Sequence, residues 1–247
     1  FWEEQAMSSP FTPETMRAVV TTGLGGFDKL DYRDDVPVPV PGPGEVLIRV
    51  RACGLNNADI NARTGWYSKG VTDGTTAEGG AEGFEHAQEG AATWRRTGLQ
   101  FPRIQGADVC GEAVAVGDGA SADVIGKRVL IDTWLRNWDD PMNLDECVYF
   151  GSEVDGGYAE FTKAPAANVH VIDSGHSDAE LATFATSYVT AEHMLVRAEV
   201  GDGDVVLVPG ASGGVGSALI QLIRRRGGVP IAMCGHGKAD QVKAIGA

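Results

Sequence analysis

DVVLVPGASGGVGSALIQLIR, residues 204–224, decides the fold. Its opening, Val205 to Val208, is apolar on both faces, the pattern of a buried parallel strand. Gly210, Gly213, Gly214 and Gly216 follow as a turn with little side-chain bulk. Val215, Leu219, Leu222 and Ile223 then recur on one helical face. Arg224, Arg225 and Arg226 complement the negative end of that helix, and Gly227 suits a left-handed cap. Residues 229–233, VPIAM, read as a second strand. Strand, turn, helix and strand together make a β-α-β unit of about 30 residues.

Such a turn has a chemical use. Backbone amides at a helix start point at a phosphate, and the helix dipole favours its charge. Gly210, Ala211, Ser212, Gly213, Gly214, Val215 and Gly216 are therefore the expected cradle of a dinucleotide pyrophosphate. A side chain at Gly213 or Gly214 would hold the phosphates off. An acid ending the second strand would select NADH by binding the ribose 2′-hydroxyl. Here that strand runs into Cys234, Gly235, His236, Gly237 and Lys238, with no acid before Asp240. Gly235, His236 and Lys238 are thus expected at the 2′-phosphate of NADPH.

The rest of the chain sets bounds. At 247 residues it holds one large domain or two small ones. Its net charge of −14 argues against nucleic acid and anionic membrane surfaces as partners. No apolar run approaches the roughly 18 residues of a membrane span. Cys53, Cys110, Cys147 and Cys234 are scattered without a CxxC pair, which points to a reducing, cytoplasmic setting and no four-cysteine zinc site.

In chain order, residues 1–15 read as a polar leader. Residues 16–20 form a short strand, and the proline-rich stretch 36–44 an extended connector. Residues 45–52 alternate as a half-buried strand. Residues 53–67 read as a loop with a short helix, in which Asp59 and Arg63 are spaced as a local ion pair. Residues 68–105 read as a long insertion, a lid or an irregular loop. Strands are expected over 106–117, 126–131, 156–165 and 168–172, with an aromatic, acidic insertion at 133–154. Ser177 and Glu180 form a capping box that opens a helical segment to Arg197, broken near Tyr188. The expected domains are 16–175, β-barrel-like, and 176–247, an incomplete doubly wound α/β unit of a longer enzyme.

In this order the segments resemble the medium-chain dehydrogenase/reductase family, which joins a GroES-like β-barrel domain to a Rossmann domain. GADVCGEAVAVG (106–117), GGYAEFTKAPA (156–166), the Thr190-Ala191 pair and the glycine turn carry the resemblance. GLNNADINARTGWY (54–67) is most similar to the zinc-free quinone oxidoreductase branch. The resemblance implies that Asn56 and Tyr67 line the active site and that Thr190 lies near the nicotinamide. It also implies a homodimer when the chain is complete.

In the zinc branch, cysteine and histidine ligands stand where this chain has Asn56, Ala107 and Thr186. These cannot replace thiolate and imidazole on zinc. His86, His170, His176, His193 and His236 show no ligand spacing. The expected chemistry is hydride transfer from NADPH to a quinone or α,β-unsaturated carbonyl, with Asn56 and Tyr67 as donors to the developing oxyanion. The alternatives are a non-catalytic, crystallin-like dinucleotide binder and an alcohol dehydrogenase of the same family.

Overall fold

The computed structural model describes residues 12–87, 99–141 and 143–247. Residues 1–11 of the expected leader and 88–98 of the expected insertion lie outside the described residues. The chain divides into two compact units, with the division between Thr183 and Phe184. The boundary expected at 175/176 falls eight residues too early. The reason is packing: Leu181 and Ala182 are buried with Cys110 in the first unit.

The first unit holds β1 (Thr15–Thr21), β2 (Leu30–Pro37), β3 (Glu45–Gly54), α1 (Asn57–Thr64), α2 (Ala77–Glu82), β4 (Arg103–Ile104) and β5 (Asp108–Val116). It continues with β6 (Arg128–Ile131), β7 (Trp134–Leu135), β8 (Val148–Tyr149), β9 (Phe161–Pro165), β10 (Val169–Val171) and α3 (Asp178–Leu181). One sheet has the order β10-β6-β5-β3-β9 and a second the order β2-β1-β4. An Ala18–Ala159 bridge joins them. β3 was expected to be half-buried, but it is covered on both faces along its first half. Val46 and Ile48 enter a core with Val109, Val129, Ile131 and Phe150. Leu47 enters a second core with Met16, Ala18, Val20 and Phe161, because the three-stranded sheet packs against that side. β2 was absent from the sequence reading, since its residues are almost all exposed and carry no apolar alternation.

The 68–105 segment is neither wholly a loop nor detached where it is described. Thr76 caps α2 by accepting from the Gly79 N–H at 3.0 Å. Arg63 of α1 then ties α2 down, donating to the Gly80 carbonyl at 2.8 Å and the Gly25 carbonyl at 2.7 Å. The backbones come so close that a Cβ on Gly26 would lie 2.3 Å from the Ala81 oxygen. In the 133–154 insertion, β7 and β8 pair as a hairpin, and Phe150 anchors it in the core.

The second unit holds α4 (Ala185–Arg197), β11 (Val205–Pro209), α5 (Gly214–Arg225), β12 (Val229–Met233) and α6 (Ala239–Ala244). The helical segment opened by the Ser177–Glu180 capping box breaks at 182–184, not near Tyr188. β11 and β12 pair in parallel, in register from Val205–Val229 to Pro209–Met233. Val208, Ile220, Ile223, Leu195 and Val242 form the core, so the helices cover one face of this sheet. β11 is therefore not buried on both faces: Val205 and Leu207, with Val229, Ile231 and Met233, are exposed on the other. No helix among the described residues is long and apolar enough to cross a membrane.

Candidate functional site

Asn56 stands at the end of β3 and is the N-cap of α1, in extended conformation. Asp59, one turn on, reaches back to accept from the Asn56 N–H at 2.9 Å. The same carboxylate accepts from the Tyr158 hydroxyl at 2.9 Å and the Gly106 N–H at 3.3 Å. Asp59 is only 7% exposed. Burial raises its pKa to about 6, with the nearby Asp108 charge adding to the rise, while these three hydrogen bonds oppose it. The Tyr158 hydroxyl is pushed far up by burial and by Asp59, so it stays a neutral donor.

Asp108 opens β5 and is buried. A carboxylate only accepts, so it meets the Asn56 side chain at its amino group, Nδ2 to Oδ2, 3.1 Å. Buried Gln105 closes the cluster, donating to the Asp59 carbonyl at 3.0 Å and accepting from Thr21 Oγ1 at 2.9 Å. Burial, then the Asp59 and Asp108 charges, push the Cys53 thiol upward. The Cys110 thiol rises to about 11 through burial and Asp178. Neither thiol is a thiolate nucleophile at neutral pH.

Tyr67 lies beyond Gly65, the left-handed cap of α1, and is half-buried. Its ring packs edge-on against Trp66 at 5.4 Å. A hydrogen bond with the Asn61 side chain favours the phenolate, but burial outweighs it and raises the pKa. Asn56 and Tyr67 thus hang from opposite ends of one helix. The expected Asp59–Arg63 ion pair does not form. Asp59 turns to Asn56, Tyr158 and Gly106, while Arg63 is spent on carbonyls and lies over the Phe27 ring at 5.2 Å.

The sequence reading missed Asp108 and Tyr158 as members of this cluster. Asp108 had a signal, a charge at the head of a mostly apolar strand. Tyr158 had none, because its partner is 99 residues away.

In the second unit the glycines separate by cause. Gly210 has φ +62°, a left-handed turn. A Cβ on Gly216 would lie 2.4 Å from the Gly210 oxygen, and one on Gly214 would lie 2.6 Å from Ser187 Oγ. Gly213 is different: its nearest neighbour would be the Gly210 oxygen at 3.4 Å, and its backbone is extended. The protein's own packing therefore does not demand glycine there. Among the described residues the backbone N–H groups of Gly214, Val215 and Gly216 have no backbone acceptor, as in any first helical turn. Ala211 is buried beneath this turn, and Ser212 is half-buried at it. These features fit a pyrophosphate.

Gly235 caps a short 3₁₀ turn, His236–Lys238, and all of its residues are exposed. Lys238 makes no ion pair among the described residues. Thr190 sits within α4 and donates its hydroxyl proton to the Thr186 carbonyl at 2.7 Å, leaving an acceptor oxygen. Among the described residues no three His, Cys, Asp or Glu side chains converge as metal ligands would.

Comparison with known proteins finds relatives named as oxidoreductases. The alcohol dehydrogenase GroES-like domain family matches residues 42–174. Human quinone oxidoreductase is 32% identical over 213 residues, covering 86% of this chain and 50% of the human protein. The chain thus spans about half the length of the curated relatives it matches. A Sinorhizobium meliloti 1021 structure, provisionally named an alcohol dehydrogenase, is 48% identical with a TM-score of 0.83, covering 96% of this chain and 62% of that one. A cobalt- and zinc-bound alcohol dehydrogenase from Pyrobaculum aerophilum is 26% identical with a TM-score of 0.74, covering 94% and 64%.

Proposed function

This chain belongs to the medium-chain dehydrogenase/reductase family, with a GroES-like unit followed by part of a Rossmann unit, and from that membership we propose an NADPH-dependent reductase of quinones or α,β-unsaturated carbonyls that works without a metal. The observation that carries the reading is the Asn56–Asp108 hydrogen bond. Where the zinc enzymes of the family set a thiolate, this chain sets an amide and orients it with a buried carboxylate. The second N–H of that amide remains to meet a developing oxyanion. Tyr67, neutral and held by Asn61, is the second donor. Neutral donors suit an acceptor whose charge is spread by conjugation.

NADPH, when bound, supplies the hydride. The residues proposed to hold it are Gly210 to Gly216 at the pyrophosphate, Gly235, His236 and Lys238 at the 2′-phosphate, and Thr190 near the nicotinamide. The same reading extends to a cytoplasmic homodimer of the complete protein. Alcohol dehydrogenase activity is the second reading, favoured by the names of the Sinorhizobium and Pyrobaculum neighbours.

The test is oxidation of NADPH by the full-length protein with 1,4-benzoquinone and with an enone, beside oxidation of simple alcohols with NADP⁺. Quinone or enone turnover without stoichiometric zinc by elemental analysis supports the proposal. Stoichiometric zinc with alcohol turnover overturns it. NADPH binding without any turnover points to the non-catalytic alternative.

A further inference from the structure

Ser187, in the second unit, is a buried side chain whose polar group is left over. The residue is 8% exposed. Among the described residues its hydroxyl has no hydrogen-bond partner. A hydroxyl taken out of water without a partner is costly, so its place in the fold needs a reason.

The hydroxyl is aimed. Measured from the position a Cβ on Gly214 would take, Ser187 Oγ lies at 2.6 Å and its own Cβ at 3.7 Å, so the oxygen leads. Gly214 is the first residue of α5, and in a helix the Cα–Cβ bond tilts toward the N-terminus. Ser187 Oγ therefore stands at the end of α5 where the Gly214, Val215 and Gly216 N–H groups have no backbone acceptor.

A second helix start lies at the same place. Ser187 is in the first turn of α4, so its own N–H lacks an intrahelical acceptor. The two helices run in the same sense. Ser187 meets the start of α5, whereas Glu192, further along α4, pairs with Arg226 at the end of α5. Their positive ends are side by side, and both favour an anion there.

We infer that Ser187 is a further ligand of the dinucleotide, its hydroxyl donating to the pyrophosphate beside the N–H groups of the glycine turn. The inference rests on the reading that this turn holds NADPH, and adds to it a side chain from another helix. Unlike the fixed N–H groups, a hydroxyl rotates to follow the oxygen it serves.

The experiment follows NADPH binding to the full-length protein by nicotinamide fluorescence, with adenosine 2′-monophosphate, which has no pyrophosphate, as competitor. Ser187→Ala should weaken NADPH by about tenfold, as loss of one hydrogen bond to a charged group does, and keep its melting temperature within a few degrees. Ser187→Cys, of similar shape but a weak donor, should weaken it too. The competitor should bind parent and variants alike. Parent affinity for NADPH in Ser187→Ala overturns the proposal, while a loss in Gly213→Ala leaves the turn in its role. Parent affinity in Ser187→Cys assigns the effect to packing and overturns it, as does an equal loss of the competitor in Ser187→Ala. No NADPH binding by the parent, or parent affinity in both Gly213→Ala and Ser187→Ala, removes the reading of the turn and the proposal with it.

Discussion

Asn56 Nδ2 lies 3.1 Å from Asp108 Oδ2, so the orientation of one half-buried amide is set by a carboxylate 52 residues along the chain. If the amide is an oxyanion donor, its geometry and its chemistry are separable by mutation. Asn56→Ala and Tyr67→Phe should each lower kcat/KM by roughly 10- to 1000-fold. Asp108→Ala should cost about tenfold through the amide alone. The Asn56→Ala, Asp108→Ala double variant should then be no worse than Asn56→Ala. NADPH affinity should hardly move. Wild-type turnover in both single donor variants would remove them from the mechanism.

Gly213 offers a test of the cradle that spares the fold. Its backbone is compatible with alanine, and a Cβ there meets nothing closer than 3.4 Å. Gly213→Ala should keep its melting temperature within a few degrees and weaken NADPH binding by about tenfold or more. Gly216→Ala, forced against the Gly210 oxygen, should instead lose stability by about 1–3 kcal/mol. Equal NADPH affinity in Gly213→Ala and the parent would leave the pyrophosphate assignment without support.

How much of this was legible beforehand depends on distance along the chain. The β-α-β unit could be read because its signals are local: a β-branched run, a glycine turn, a helical stripe and a cap within about 30 residues. A short helix within residues 53–67 was legible for the same reason. The Asp59 cluster was not, since its partners Gly106 and Tyr158 lie 47 and 99 residues away. Spacing alone offered Arg63 as the partner of Asp59, because the i,i+4 rule knows nothing of a carbonyl presented by an inserted helix.

Cofactor choice rests on exposed Lys238 and His236, with no acid before Asp240. The ratio of kcat/KM for NADPH over NADH should favour NADPH by at least about tenfold, and Lys238→Ala should erode it. A parent ratio near one, or one favouring NADH, contradicts the assignment.

Asp59 gives the fold a pH signature. Its proton is held to about pH 6 in the native state, against about 4 in an unfolded chain. Between these values the native state binds more protons, so unfolding free energy falls as pH rises. The contribution is fully present below about pH 4 and gone above about pH 6. Compared by urea unfolding with Asp59→Asn, which cannot titrate, the parent should lose on the order of 2 kcal/mol of relative stability from pH 4 to 7. A difference flat in pH would show that folding does not shift the Asp59 pKa.

The uncovered side of the β11–β12 pair has a colloidal consequence. Val205 faces Val229, Leu207 faces Ile231 and Pro209 faces Met233, giving two aligned rows of exposed apolar side chains. Rows in register on a two-stranded ribbon are a template on which another apolar surface can stack. Opposing this is the net charge of −14, which keeps like molecules apart over a Debye length of about 10 Å at 0.1 M salt. A polypeptide of these residues thus balances a short-range attraction against a screened repulsion. Adding salt weakens only the repulsion, so its self-association should grow with ionic strength.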